Sequence, residues 1–196
     1  MVGALTGVVV AAFKSSIAFV VATCYSGDAV VQAWSDRKLG DASVLIPAAG
    51  GLAVAALRLT SPRGKIGPGL AEHVAEVERS VPLRPEAAAR RGAAAIATLG
   101  TGSALGPEGP SVELGVAISR LVGGIVERTR SASSSSASTE SDASEAASEV
   151  ESALRRQREL IAAGAAAGVA AGFNAPLAGV FFALEVVSEA VRNAVV

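Results

Sequence analysis

Apolar and polar residues fall in blocks along this chain rather than alternating. Residues 4–34 form a long apolar stretch with Gly7, Lys14 and the pair Ser15 and Ser16 inside it. At about 1.5 Å of rise per residue, such a stretch crosses a bilayer even when tilted. Residues 35–41 (SDRKLGD) are a polar turn, and residues 43–59 form a second apolar segment with Pro47 early and Gly50 and Gly51 inside. This one lies near the lower limit of roughly 17 residues for a span, and its glycines allow close helix contact. Residues 61–69 (SPRGKIGPG) are rich in turn formers. Residues 71–85 carry Glu72, Glu76, Glu78, Arg79 and Arg84, which suits a solvated or interfacial helix face and a turn. Ala-rich residues 86–99, with Arg90 and Arg91 near their start, predict a helix ending near Gly100, and residues 111–126 predict the next.

Residues 130–152 (RSASSSSASTESDASEAASEVES) have too little apolar surface to offset the entropy of ordering them. They read as a disordered loop. Beyond the basic flank of Arg155, Arg156 and Arg158, residues 161–172 predict an Ala/Gly helix. Gly164, Gly168 and Gly172 give it a continuous face of small residues, suited to tight packing in lipid. The helix breaks at Gly172, Phe173, Asn174 and Ala175, and Pro176 starts another, with Asn174 placed to cap it.

Composition fits a membrane protein. The chain is 51% hydrophobic and only 18% charged, against roughly 25% charged in a soluble domain. Its net charge of −1 leaves no nucleic-acid footprint. Cys24 is the single cysteine and His73 the single histidine, so no metal-ligand cluster or internal disulfide is expected. Met1 leads into apolar residues without the basic flank of a secretory signal, which fits a chain that begins inside a longer protein. Tyr25 and Trp34 suit an interface or ordinary packing equally.

The stretch of most chemical interest is residues 100–115. It sets one carboxylate, Glu108, between Gly106-Pro107 and Gly109-Pro110. A helix does not continue unbroken through these prolines, but Pro fits a helix's first turn. The backbone is therefore expected to leave one helix and to point a second, starting near Pro110, at Glu108. Free N–H groups at such a start attract anions. In a soluble protein the stretch would be a surface turn with a solvated Glu; within apolar sequence an ionisable group is a functional candidate. Gly100, Gly102 and Gly106 also give GxGxxxG, which misses the dinucleotide-binding spacing by one and follows a helical segment where that motif needs a strand.

The pattern G-S-x-L-G-x-E-G-P-S-V-x-x-G over residues 102–115, followed by AAGAAAGVAAGFNAPLAGVFFALE over residues 162–185, resembles the CLC family of chloride channels and anion/proton exchangers. The resemblance covers most of the chain apart from the Ser-rich stretch. It implies an all-α integral membrane fold, a bundle of tilted, broken and re-entrant helices, of which this chain supplies the first inverted-repeat half. Residues 1–130 would hold transmembrane helices with the anion-binding loop and the gate, residues 131–153 the disordered loop, and residues 154–196 a transmembrane helix pair.

The resemblance carries the role of gating glutamate onto Glu108, with Gly106, Pro107, Gly109 and Pro110 around the anion. It places the family's first anion-binding motif at Gly67, Pro68 and Gly69. There Pro68 stands where the usual Ser contacts the anion, a feature shared with nitrate-preferring plant members, and Ala71 stands where a Pro is usual. Phe173, Asn174, Pro176 and Glu185 would support the pore helices. Exchangers of the family usually carry a proton-handling glutamate directly after the position of Glu185; Val186 stands there, as in channel members. The implied function is a subunit of a voltage-gated chloride channel, homodimeric, needing no cofactor beyond the permeant chloride or nitrate, in contact with membrane lipid and with no nucleic acid. The alternatives are a proton-coupled chloride or nitrate antiporter, or a non-conducting fragment, since the residues end where the family's second half is expected. Members with Gly-Pro-Glu-Gly-Pro include those of plant plastids, which suggests an organelle membrane.

Overall fold

Six helices carry most of residues 1–25, 42–61, 84–134 and 143–193, the parts that the computed structural model describes. They are α1 (Val2–Tyr25), α2 (Ala42–Leu59), α3 (Pro85–Gly100), α4 (Glu108–Ser134), α5 (Ala143–Phe173) and α6 (Pro176–Asn193). Among the described residues there is no strand. Gly67, Pro68, Gly69, Ala71 and Trp34 lie outside them.

Helix α1 is apolar on nearly every side. It buries Thr6, Val10 and Phe13 while Leu5, Val8 and Phe19 stay exposed. A helix with that pattern suits lipid rather than water around its outer face. Both α1 and the first 22 residues of α4 (Glu108–Thr129) are long and apolar enough to cross a membrane. Helix α3 begins with Pro85 at its first position, where a missing N–H breaks no intrahelical bond.

The centre of the fold is the pair α4 and α5, with α6 folded back along α5. Helix α1 lies against α3, α4 and α5, and α2 lies on α3. Val112 and Val116 of α4 meet Ile161, Ala165 and Val169 of α5 in the core, with Phe182 of α6 packed against them. Beside this core runs a seam of small residues. On α5 it is the expected face of Gly164, Gly168 and Gly172; on α4 it is Ser111, Gly115 and Ser119, also spaced four apart. A Cβ on Gly168 would come within 2.5 Å of the Ser111 carbonyl oxygen and 2.8 Å of Val112 Cα. Gly115 and Gly164 face each other's carbonyls. Backbones that approach this closely gain dispersion contacts, which drive helix association where lipid removes the hydrophobic term.

Two sequence expectations change. The Ser-rich stretch is in part helical: Ser131 to Ser134 end α4, and Ala143 through Ser152 begin α5. Ala and Glu are good helix formers, and here they extend a helix already nucleated by packing further along. Residues 135–142 lie outside the described residues. The helix after the break starts at Glu108, two residues earlier than expected, because Pro107 and not Gly109 supplies the carbonyl of the first helical bond.

Candidate functional site

Two helices end at this site in the same way. At the end of α3, Gly102 takes a left-handed φ of +93°. Its N–H donates to the Leu99 carbonyl and the Ser103 N–H to the Thr98 carbonyl, each at 3.2 Å. These two bonds are the Schellman pattern, which satisfies carbonyls that a helix end otherwise leaves open. At the end of α5, Asn174 takes φ +54° and the Ala175 N–H donates to the Ala170 carbonyl at 3.0 Å, the longer bond of that pattern. Asn174 therefore closes α5 rather than capping α6. Ala175 holds the cap position of α6, its carbonyl accepting the Gly179 N–H at 3.2 Å.

Between Gly102 and Glu108 the chain runs without helix. Leu105 N–H donates to the Ser103 carbonyl at 2.8 Å, a tight turn that reverses the path. Helix α4 then starts: Ser111 N–H donates to the Pro107 carbonyl at 3.0 Å, and Ser111 Oγ donates to the same oxygen at 2.7 Å. Pro107 is thus the cap, Glu108 and Gly109 are the first two helical residues, and Pro110 is the third. Pro110 has no N–H to leave open there, whereas the N–H groups of Glu108 and Gly109 have no intrahelical acceptor.

The Glu108 side chain turns back over Gly106: its carboxylate fills the space where a Cβ on Gly106 would stand. The carboxylate lies at the positive end of the α4 dipole, where negative charge is favoured. Glu108 is half-buried, while Gly106 and Gly109 are exposed. The far end of α5 closes in from the side. A Cβ on Gly172 would lie 3.1 Å from Ser111 Cβ and 3.8 Å from Glu108 Cα.

Helix α1 ties both ends down. Tyr25 donates its hydroxyl proton to the Thr101 carbonyl at 2.8 Å, and the same hydroxyl lies against Gly102. Lys14 donates from Nζ to the Gly172 carbonyl at 3.1 Å and to the Ala171 carbonyl at 3.4 Å. On the other flank, Gly50 of α2 fits against the Thr101 side chain. Arg91 of α3 pairs with Glu113 of α4 through Nε and Oε2 and through a second contact, Nη2 to Oε1 at 2.7 Å. This pair fixes α3 to α4 beside Pro110, with which it lines a shallow cleft.

The expected site residues thus separate into groups. Gly106, Pro107, Glu108, Gly109 and Pro110 form one turn, met by the last turn of α5 that leads into Phe173 and Asn174. Phe173 and Pro176 are exposed around the second break, and Glu185 is exposed further along α6. Lys14 and Tyr25, noted in the sequence only as an interruption of the apolar stretch and as an interface or packing residue, and the Ser111, Gly115, Ser119 row have no expected place at this site. A lysine within an apolar span and a four-residue repeat of small side chains are signals that could have found two of these three.

The sequence matches known proteins along most of its length. A family model described as the voltage gated chloride channel matches residues 49–196. The chain is 32% identical over 191 residues to chloride channel protein CLC-e of Arabidopsis thaliana, an alignment that covers 94% of this chain and 23% of that protein. It is 39% identical over 98 residues to chloride channel protein CLC-f of the same plant, and 41% identical over 88 residues to the H(+)/Cl(-) exchange transporter ClcA of Cronobacter sakazakii. These alignments cover 50% and 45% of this chain, and 10% and 14% of the respective relatives.

Proposed function

The chain belongs to the voltage-gated chloride channel family, and from that premise we propose that it builds the first half of an anion pathway gated by Glu108. The supporting observation is the position of that carboxylate. It lies at the N-terminus of α4, where the helix dipole favours negative charge, and it folds over a glycine that leaves room for it. Ionised, Glu108 competes with chloride for the open N–H groups of the first turn. Protonated or swung aside, it frees them. An anion held by backbone dipoles rather than by a fixed cation binds weakly enough to leave again, as conduction requires. Gly67, Pro68 and Gly69 are proposed as a second anion-binding element, with Pro68 shifting preference from chloride toward nitrate. On this reading the working protein is a homodimer in an organelle membrane, a plastid's in particular, and the plant relatives support that location.

The test uses the full-length protein in liposomes. Replacing Glu108 by Gln or Ala should leave an anion flux that has lost most of its dependence on pH and voltage. Gating that stays as in the wild type would remove Glu108 from this role. A second reading, a proton-coupled antiporter, draws support from the exchange transporter among the relatives. Val186, directly after Glu185, favours a channel. Chloride-driven uphill proton movement in the same liposomes would decide for the antiporter.

A further inference from the structure

We propose that Lys14 is a positioning residue for the Glu108 gate, acting through the last turn of α5; the inference rests on the gating role given to Glu108 above. Lys14 stands midway along an apolar, span-length helix. A lysine there is unfavourable unless it faces the protein and finds partners. It finds them 157 and 158 residues away, in the carbonyls of Ala171 and Gly172. The local motif at the end of α5 satisfies the Ala170 carbonyl through Ala175 N–H. The Lys14 ammonium supplies donors to the two carbonyls that follow. It also places a positive charge at the negative end of the α5 dipole.

The site of this contact gives it a functional consequence. Gly172 is the residue of α5 that packs on Ser111 and faces Glu108 Cα. The first turn of α4, which carries the gate, therefore leans on a helix end that Lys14 holds in place. Lys14 and Tyr25 are eleven residues apart, close to three whole helical turns, so both lie on one face of α1. That face fixes the α5 end through Lys14 and the α3 end through Tyr25. Without the ammonium, the carbonyls of Ala171 and Gly172 lose charge-assisted bonds, the α5 end is free to withdraw, and the resting position of Glu108 changes. The anion path itself is untouched, since the Lys14 hydrogen bonds go to none of the residues assigned to it.

The experiment measures voltage-dependent chloride flux through the full-length protein in planar bilayers for Lys14→Met, Lys14→Arg and Lys14→Gln, each in the wild-type and in the Glu108→Gln background. In the wild-type background Lys14→Met should change the equilibrium between closed and open protein by roughly tenfold, the size of a lost hydrogen bond to a charged group. Lys14→Arg, which keeps charged donors, should restore most of it, and Lys14→Gln should fall between. In the Glu108→Gln background, where flux reports the pathway without its gate, Lys14→Met should leave the flux nearly unchanged. Equal loss of flux in both backgrounds would make Lys14 a structural residue only and overturn the proposal. Unaltered gating in Lys14→Met would overturn it as well. If Lys14→Met does not reach the membrane folded, Lys14→Gln carries the same comparison, and the same two results would overturn the proposal. Should Glu108→Gln alone leave gating intact, it is the gate assignment that fails, an outcome separate from any effect of Lys14.

Discussion

Gly102 and Asn174 occupy equivalent positions, each the left-handed residue that ends a helix, but they meet that demand differently. Glycine adopts the conformation freely. Asparagine adopts it at a penalty smaller than that of most residues, because its short polar side chain tolerates the region. Gly102→Ala should therefore destabilise the protein by roughly 1–2 kcal/mol from the backbone alone. It should lose more because a Cβ there meets the Tyr25 hydroxyl. Tyr25→Phe removes only the bond to the Thr101 carbonyl and should lose about 1 kcal/mol. Asn174→Gly should move the other way, since it relieves the left-handed penalty at an exposed position. Thermal unfolding in detergent of the three variants gives the order directly, and Gly102→Ala ranking as the mildest loss would show that the turn is not held as described. Glu108 is legible in the sequence together with its surroundings, whereas for Lys14 only the anomaly of a lysine in an apolar span is legible and its partners are not. Glu108 is marked by its neighbours along the chain, two Gly-Pro pairs. Lys14 is marked by carbonyls 157 residues and more distant, which no local pattern reveals.

Helices are more legible in the sequence than their ends. The apolar blocks and the Ala-rich stretch locate the start of α1, the whole of α2 and α3, and the start of α6 to within a few residues, because each carries its own composition. The apolar stretch read over residues 4–34 runs past the end of α1 at Tyr25 into residues that lie outside the described ones. The long α4 and α5 extend beyond what their composition predicts. Their outer parts are polar, and nothing in a Ser-rich composition indicates that a packed helix will extend into it. The small-residue face of α5 is visible as a spacing of four, but its partner row on α4 mixes Ser with Gly and begins within the gate motif, where Glu108 dominates the pattern. The seam between the two gives a sharp contrast of substitutions. Gly168→Ala forces a methyl into the Ser111 backbone, which cannot swing away as a side chain could, and should destabilise by about 1–3 kcal/mol or more. Gly51→Ala on α2 meets nothing within 4 Å and should be neutral or gain up to about 1 kcal/mol from helix propensity. Equal melting temperatures for the two would mean that α4 and α5 are not in backbone contact.

The molecule as a whole is a set of helix ends held against one another, and its alignment with the plant relative CLC-e covers 23% of that protein's length. Reconstituted by itself, this chain should pass little chloride or nitrate, whereas the full-length protein should pass both, with nitrate favoured if Pro68 acts as proposed. Parallel flux assays on the two preparations check this, and equal flux would mean that 196 residues suffice to form the pathway. The bracing of α5 by α1 has a further consequence during synthesis. At roughly 5–20 residues per second, Lys14 leaves the ribosome about 10–30 s before Ala171 and Gly172 do. For that interval α1 is a nascent membrane helix with an ammonium and no carbonyl to receive it. Its charge is expected to stay near water or lipid headgroups until the end of α5 arrives to take it, so a helix made much later determines when the first one settles.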